Sequence, residues 1–304
     1  MKKKYLIIIA GPTAIGKTSL SIDVAKHFQT EILSCDSRQF FKEMSIGTAV
    51  PSKEELAQVP HHFIHNLSIQ NDYSVGMFER DVLQKIEELH QKFDVLVMVG
   101  GSGLYVDAVC RGLDDFPRAT EGLRDELNKR HREEGVEALE QQLKELDPEY
   151  HETVDKANPH RIIRALEVCI TSGQTFSSFR KKQIANRPFE TVKIILNRDR
   201  ELLYERINLR VDLMLEEGLI EEVKSLYPLR ELNALQTVGY KELFSYFDGD
   251  IDLETAVSEI KKNTRRYAKR QLTWFRRDPE TVFFNPEEPS EIWGYLKERI
   301  KVSD

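Results

Sequence analysis

Gly11-Pro12-Thr13-Ala14-Ile15-Gly16-Lys17-Thr18 follows the apolar run Tyr5-Leu6-Ile7-Ile8-Ile9-Ala10 and leads into a helix-compatible segment from Ser19 to Phe28. It fits the pattern G-x-x-x-x-G-K-[ST], a phosphate loop, in the context that loop needs, with a strand before it and a helix after. The glycines let the backbone curl so that successive N–H groups point at a phosphate chain, and the helix start adds partial positive charge. Lys17 supplies a point charge, and the Thr18 hydroxyl can take a place on Mg2+. The stretch sets an α/β fold class and a grip on a di- or triphosphate; it leaves open which of the two.

The rest of the composition bounds that reading. The chain has 304 residues, enough for one large domain or two smaller ones with a sizeable core. Hydrophobic content of 40% beside 31% charged residues is that of a soluble globular protein. Cys35, Cys110 and Cys169 are widely spaced, which excludes a disulfide framework and offers no zinc-site spacing. The start, three lysines before an apolar run, resembles a signal peptide. The run is short and feeds straight into the phosphate loop, so a strand is expected there. No run approaches bilayer length, and the cytoplasm is the expected address. A net charge of −7 argues against a protein that coats nucleic acid. Yet Lys261 to Arg277 holds eight basic residues and no acidic one, which points to a localised polyanion contact.

Beyond the first helix, Glu31-Ile32-Leu33-Ser34 reads as a second strand ending at Cys35-Asp36-Ser37-Arg38-Gln39-Phe40. Ligand groups of an open parallel sheet gather at the carboxyl ends of strands, so Asp36 is expected on the rim that carries the phosphate loop. A third strand is expected over Pro60–Asn66, an amphipathic helix over Tyr73–Gln91, and a doubly covered strand over Phe93–Val99. That strand ends in Gly100-Gly101-Ser102-Gly103-Leu104-Tyr105. From about Asp114 the chain turns charged and helical, and a strand pattern returns at Thr191–Asn197. The expected organisation is a parallel-sheet core of the phosphate-loop NTPase type over 1–113 and 190–304, with C-terminal helices, interrupted by an all-helical insertion over 114–189. The long helix expected over Asp252–Arg277 sets Lys262, Arg266, Lys269, Arg270 and Thr273 along one side.

Several side chains carry chemistry on this reading, each beside a plainer role. Asp36 fits a general base, a second ligand of Mg2+, or an ordinary turn residue. Ser102 fits a donor to phosphate or a turn serine. The basic helix fits a nucleic-acid backbone or a solvated face, and Arg161 and Arg164 fit an RNA contact or a helix surface. His61 and His62 face apart on a strand and are expected to be structural. Glycine ends the Val95–Val99 strand in place of the acidic residue that many nucleoside triphosphatases carry there, which weakens an ATP-hydrolysis reading. Two rivals stay open on these residues alone: a small-molecule or nucleotide kinase using ATP, and a non-catalytic RNA-binding module.

Taken together, these blocks resemble the bacterial tRNA dimethylallyltransferases, or isopentenyl transferases. The resemblance rests on Gly11 to Thr18, Asp36-Ser37-x-Gln39, Ile46-Gly47-Thr48-Ala49, Pro60-His61-His62 and Gly100 to Tyr105. It continues through Arg161-Ile162-Ile163-Arg164-Ala165-Leu166-Glu167, Arg210 with Met214-Leu215-x-x-Gly218, Gly239-Tyr240, and Thr264 to Trp274. The resemblance implies a transferase that moves a dimethylallyl group from dimethylallyl diphosphate to the exocyclic amine of adenosine 37, in the anticodon stem-loop of tRNA. It implies Asp36 as general base, with Thr13, Lys17 and Arg210 as the other catalytic groups. Gly11, Pro12, Thr13, Ala14, Ile15, Gly16, Lys17, Thr18 and Arg210 would hold the diphosphate, with Mg2+ on Thr18. Asp36, Ser37, Arg38, Gln39 and Ser102 would line the path of the extruded base. Arg124, His160, Arg161, Ile162, Ile163 and Arg164 would touch tRNA from the insertion, and Arg266, Lys269 and Arg270 from the core. Ser102 stands where the family usually has Thr, and keeps the hydroxyl. A monomer with no membrane contact is expected.

Overall fold

The computed structural model describes residues 2–117, 120–180, 184–278 and 281–301. In chain order the first elements are β1 (Tyr5–Ala10), α1 (Lys17–His27), β2 (Ile32–Ser34), α2 (Lys53–Leu56), β3 (His61–His62), α3 (Val75–His90), β4 (Val95–Gly100) and α4 (Gly103–Arg111). Five helices follow: α5 (Leu123–Glu134), α6 (Val136–Leu146), α7 (Pro148–Thr153), α8 (Pro159–Ser172) and α9 (Phe176–Phe179). The chain then runs through β5 (Glu190–Leu196), α10 (Arg200–Glu216), α11 (Leu219–Leu226), α12 (Tyr240–Phe247), α13 (Leu253–Phe275), β6 (Phe283–Phe284) and α14 (Pro289–Arg299). Two compact units result, one of residues 1–110 with 186–304 and one of residues 111–185.

In the first unit all strands are parallel, in the order β3-β2-β4-β1-β5-β6. Parallel strands need helical crossovers, and these cover both faces of the sheet. The side-chain alternation of β1 shows the result. Tyr5, Ile7 and Ile9 point into a core shared with Ile22 and Val24 of α1 and Leu203 and Ile207 of α10. Leu6, Ile8 and Ala10 point into a second core with Phe78 and Val82 of α3 and Val106 and Val109 of α4. That is why β1 reads as an unbroken apolar run and not as an alternation. Each fully buried Ile or Leu in it contributes about 2 kcal/mol relative to exposure. A third core joins Met44, Phe41 and Ile69 to α11, α12 and the first turns of α13.

The third strand is shorter than the expected span. Its ladder is limited to Ile32–His61 and Leu33–His62, because Phe63 (φ 61°) and His65 (φ 50°) adopt left-handed backbone that leaves the pleat. His62 pairs with Glu31 at 2.6 Å and His61 Nδ1 lies 2.7 Å from the Val59 carbonyl oxygen, so both histidines hold the edge of the sheet.

Among its described residues, the regular structure of the 111–185 unit is all helical, with a core built on Leu127, Leu139, Leu143, Ile162 and Leu166. Asp147 caps α7 by accepting from the Tyr150 N–H at 3.0 Å and also receives the Ser177 N–H and hydroxyl, at 2.7 and 2.9 Å. Asn158 caps α8, with Pro159 at its first position. Among the described residues, no helix of either unit is long and apolar enough to cross a membrane.

Candidate active site

The carboxyl ends of β1, β2 and β4 bring three loops to one rim of the sheet. β1 turns into the phosphate loop at Gly11, whose φ is 146° and where a Cβ would lie 2.7 Å from the Leu196 carbonyl oxygen, so only glycine fits. Ala14 is held at φ 62°, a strained setting for a side-chain-bearing residue. Arginines from α10 brace this loop: Arg206 Nε donates to the Ala14 carbonyl at 2.9 Å and Arg210 Nη1 to the Thr13 hydroxyl at 3.3 Å. Lys17 Nζ donates to the Pro12 carbonyl at 2.8 Å. Burial pushes the Lys17 ammonium down to about 8, against the favourable field of Asp36, with Arg210 adding a further lowering. Burial likewise lowers Arg210, while Asp36 opposes the shift.

Asp36 begins the turn after β2. Its carboxylate accepts the Arg38 N–H at 3.0 Å, an Asx turn that fixes the side chain. A chain of hydrogen bonds sets the backbone beneath it. On α11, Glu222 accepts from the N–H groups of Ser45, Ile46 and Gly47 at 2.8–2.9 Å and from the Tyr240 hydroxyl at 2.6 Å. That turn presents the Thr48 and Ala49 carbonyls to Gln39 Nε2 at 3.2 and 3.0 Å. Gln39 Oε1 receives the Ser34 hydroxyl at 3.3 Å, and the same hydroxyl oxygen takes the Asp36 N–H at 3.4 Å. Ser102, on the turn after β4, accepts the Ser37 N–H and donates to the Ser37 hydroxyl, both at 3.2 Å. The Tyr267 hydroxyl, in the same cleft, is pushed up to about 12 by burial and the nearby Asp36 charge.

Thr13, Lys17, Thr18, Asp36, Arg210 and Tyr267 line one cleft of about 500 Å³. The arrangement offers cations and hydroxyls for a phosphate chain at the loop, a carboxylate on the adjoining wall, and a phenol and serine beside it. Such a site can stabilise a departing anion while a base takes a proton from an attacking group.

Of the residues expected from the core sequence, Thr13 to Thr18, Asp36, Arg38, Gln39 and Arg210 line this cleft, and the structure uses some of them differently. The Arg38 guanidinium donates to the Asn233 and Ala234 carbonyls at 3.1 and 3.0 Å, and the Gln39 amide is held by Thr48 and Ala49, so both tie loops together. On α13, Arg266, Lys269 and Arg270 are exposed. The other five basic residues of that stretch pair within the unit: Lys261 with Asp212, Lys262 with Glu259, Arg265 with Asn208, and Arg276 and Arg277 over the Phe283 and Trp274 rings at 6.0 and 4.4 Å.

In the helical unit, His160 and Arg161 are exposed at the start of α8. Ile162 and Ile163 correct the sequence expectation of an RNA contact: at 0% and 3% exposure, their side chains belong to the helical core. Arg124 grips Glu167 with two bonds of 2.6 and 2.8 Å, and Arg164 reaches the same carboxylate at 3.3 Å, while Glu167 is 1% exposed. These arginines neutralise a buried acid. Sequence reasoning missed Arg206, Glu222, Tyr267 and Gln271 as site residues. Arg206 lies one helical turn before Arg210, and Tyr267 and Gln271 lie four apart on the side of α13 away from Arg266 and Lys269, so i, i+4 spacing was the signal available for them.

Comparison with known proteins agrees with this geometry. The family model described as IPP transferase matches residues 39–278. The tRNA dimethylallyltransferase of Christiangramia forsetii is 61% identical over 297 residues, covering 97% of this chain and 98% of that protein. That of Flavobacterium johnsoniae is 54% identical, covering 99% of each. The solved structure of the full-length tRNA isopentenylpyrophosphate transferase from Bacillus halodurans is similar with a TM-score of 0.70 at 40% identity, covering 97% of this chain and 98% of that one. A eukaryotic dimethylallyltransferase acting on tRNA superposes with a TM-score of 0.80 at 26% identity, covering 98% of this chain and 77% of that one. The parallel sheet, the phosphate loop with Asp36 on the same rim, and this similarity over nearly the full length establish that the chain belongs to the IPP transferase family.

Proposed function

We propose that the chain transfers the dimethylallyl group of dimethylallyl diphosphate to N6 of adenosine 37, beside the anticodon of tRNA, releasing diphosphate. The observation that carries this reading is the single cleft that joins Thr13, Lys17 and Arg210 to the Asp36 carboxylate. Gly100 at the end of β4, where an acidic residue would serve ATP hydrolysis, supports it.

An adenine amine is a weak nucleophile because its lone pair is delocalised into the ring, so catalysis rests on positioning, proton removal and stabilisation of the leaving group. As the C–N bond forms, the allylic C–O bond breaks and its electron pair leaves with the diphosphate. Asp36 accepts the proton that N6 gives up. Lys17, Arg210, the Thr13 hydroxyl and the loop N–H groups hold the diphosphate as its charge grows. The target base must leave its stack to reach the cleft. The Ser37–Gln39 turn and Ser102 form the wall against which it would lie. The Thr18 hydroxyl and Asp36 carboxylate line this cleft as hard oxygen donors, a set that fits Mg2+, which when bound offsets the negative charge of the diphosphate. The exposed His160 and Arg161 of the helical unit, and Arg266, Lys269 and Arg270 of α13, are the surfaces for the tRNA backbone. A cytoplasmic monomer completes the proposal.

The test is product identity. The protein is incubated with unmodified tRNA, Mg2+ and dimethylallyl diphosphate, and the RNA is digested to nucleosides for mass spectrometry. An adenosine carrying one added dimethylallyl group, mapped to position 37, is expected; unmodified nucleosides after prolonged incubation would contradict the proposal.

A further inference from the structure

Gln271, a polar side chain on α13, is 6% exposed and lines the cleft beside the phosphate loop, and the proposed reaction gives it no role. Both ends of its amide are used. Oε1 accepts the Thr13 N–H at 3.0 Å, and Nε2 donates to the Gly101 carbonyl at 2.9 Å. The two partners fix the amide's orientation, since reversing it would set N–H against N–H and oxygen against oxygen. The approach is close: a Cβ on Gly101 would lie 2.2 Å from Nε2, so the amide reaches its place only because residue 101 is glycine.

Thr13 and Gly101 sit just beyond the ends of β1 and β4, adjacent strands whose last paired residues are Ala10 and Gly100. Nothing in the ladder extends past that pair, so Gln271 is the tie that continues it into the two loops. Thr13 is also the residue whose hydroxyl receives Arg210. Its N–H is thereby fixed from α13 and its side chain from α10. The loop on which the diphosphate would rest is clamped at the residue that faces both.

We infer that Gln271 is a positioning residue, one that holds the phosphate loop in its anion-binding geometry by tying Thr13 to the turn after β4. The inference deepens the proposed reaction by placing this residue behind its leaving-group site. A loop ordered in advance spares the ligand the entropy of ordering it, so loss of the tie is read in diphosphate affinity. Substitution by an apolar residue of similar shape also takes the partner from the Thr13 N–H and leaves the buried Gly101 carbonyl without its donor.

The experiment measures binding of inorganic diphosphate, in Mg2+ buffer without RNA, to the full chain and to Gln271→Met and Gln271→Glu, with tRNA affinity and the melting temperature taken in parallel. Gln271→Met is expected to bind diphosphate about tenfold more weakly, while its tRNA affinity stays within about twofold of the parent chain. Gln271→Glu keeps the acceptor for Thr13 but donates to Gly101 only when protonated. Its affinity relative to the parent chain at the same pH is expected to recover as the buffer is made mildly acidic, with no such recovery for Gln271→Met. Unchanged diphosphate binding in both variants would overturn the inference. So would parallel losses of diphosphate and tRNA affinity with no pH-dependent recovery, the signature of a structural role alone. The parent chain's transfer of label from dimethylallyl diphosphate to tRNA is scored separately, and its failure would remove the proposed reaction while leaving the diphosphate result to stand.

Discussion

In the phosphate-loop cleft, Arg206 and Arg210 aim at a backbone carbonyl and a hydroxyl, with Lys17 beside them on the Pro12 carbonyl. In the helical unit, Arg124 and Arg164 converge on one buried carboxylate, Glu167. The residue type is the same and the electrostatic outcome opposite. Cations that touch only neutral dipoles keep their charge available for an incoming anion. Cations that neutralise a buried acid have spent theirs on removing the cost of that acid's desolvation. The contrast separates residues that meet a substrate from residues that hold a fold, although both kinds stand in the sequence blocks that resemble the family.

The sharpest way to break this contrast is at its chemical end. Asp36→Asn keeps the Asx turn but cannot accept a proton, and turnover is expected to fall by about 10²–10⁴ with little change in tRNA affinity. A defect confined to tRNA binding in steady-state kinetics would move Asp36 to a contact role. Next in size, Arg210→Ala removes a charge from the leaving group, and a fall of about 10²–10³ in kcat/KM for dimethylallyl diphosphate is expected.

Lys17 sharpens the same point through pH. Its ammonium is held down at about 8, so the cation is present below that pH and is lost as the pH rises through it. Diphosphate affinity should therefore fall above about pH 8, by a factor approaching ten per pH unit, whereas Lys17→Met should be weak throughout and lack this phase. The folded-state cost of that buried charge has the opposite sense: it is felt below about 8 and is relieved as the pH climbs from there toward 10.5. A titration of affinity that rises across this range would exclude the Lys17 cation as a ligand contact.

In the helical unit the two kinds of arginine can be set against each other. Arg124→Ala leaves Glu167 with Arg164 alone and should destabilise the unit by about 2 kcal/mol, less than a fully buried pair because the Arg124 side chain is 57% exposed. Arg161→Ala should leave the melting temperature unchanged and weaken tRNA binding. Equal melting temperatures for the two variants would erase the distinction. The smallest effects belong to α13. Arg266→Ala and Arg270→Ala should each weaken tRNA binding a few-fold and lower the slope of log affinity against log salt by about 1.

The core architecture was legible because local signals agreed with the tertiary result. The apolar run at Tyr5–Ala10, the glycines of the loop and the run at Val95–Val99 each specify a buried parallel strand and its turn without help from distant residues. β3 was legible only in part, since the left-handed backbone of Phe63 and His65 is imposed by the surrounding fold. β6, two residues long, exists through its pairing with β5 and has no periodicity to read. In the site, Asp36 and the loop stood out because their chemistry is local. Gln271 did not, because an amide at the end of a basic helix acquires its meaning only when Thr13 and Gly101 are brought to its two ends. Ile162 and Ile163 misled for a related reason: they lie in a block shared with exposed Arg161, and only the fold of α8 turns them inward.

The central claim is that the phosphate loop holds a leaving group and that carbon, not phosphorus, is transferred. It is tested most directly with dimethylallyl diphosphate labelled on the allyl carbon with one isotope and on phosphorus with another, incubated with unmodified tRNA and Mg2+. The account predicts the carbon label in RNA and the phosphorus label released as inorganic diphosphate, in equal amounts. No carbon label in RNA, with phosphate transferred to RNA or a small molecule in a parallel incubation with labelled ATP, would contradict it.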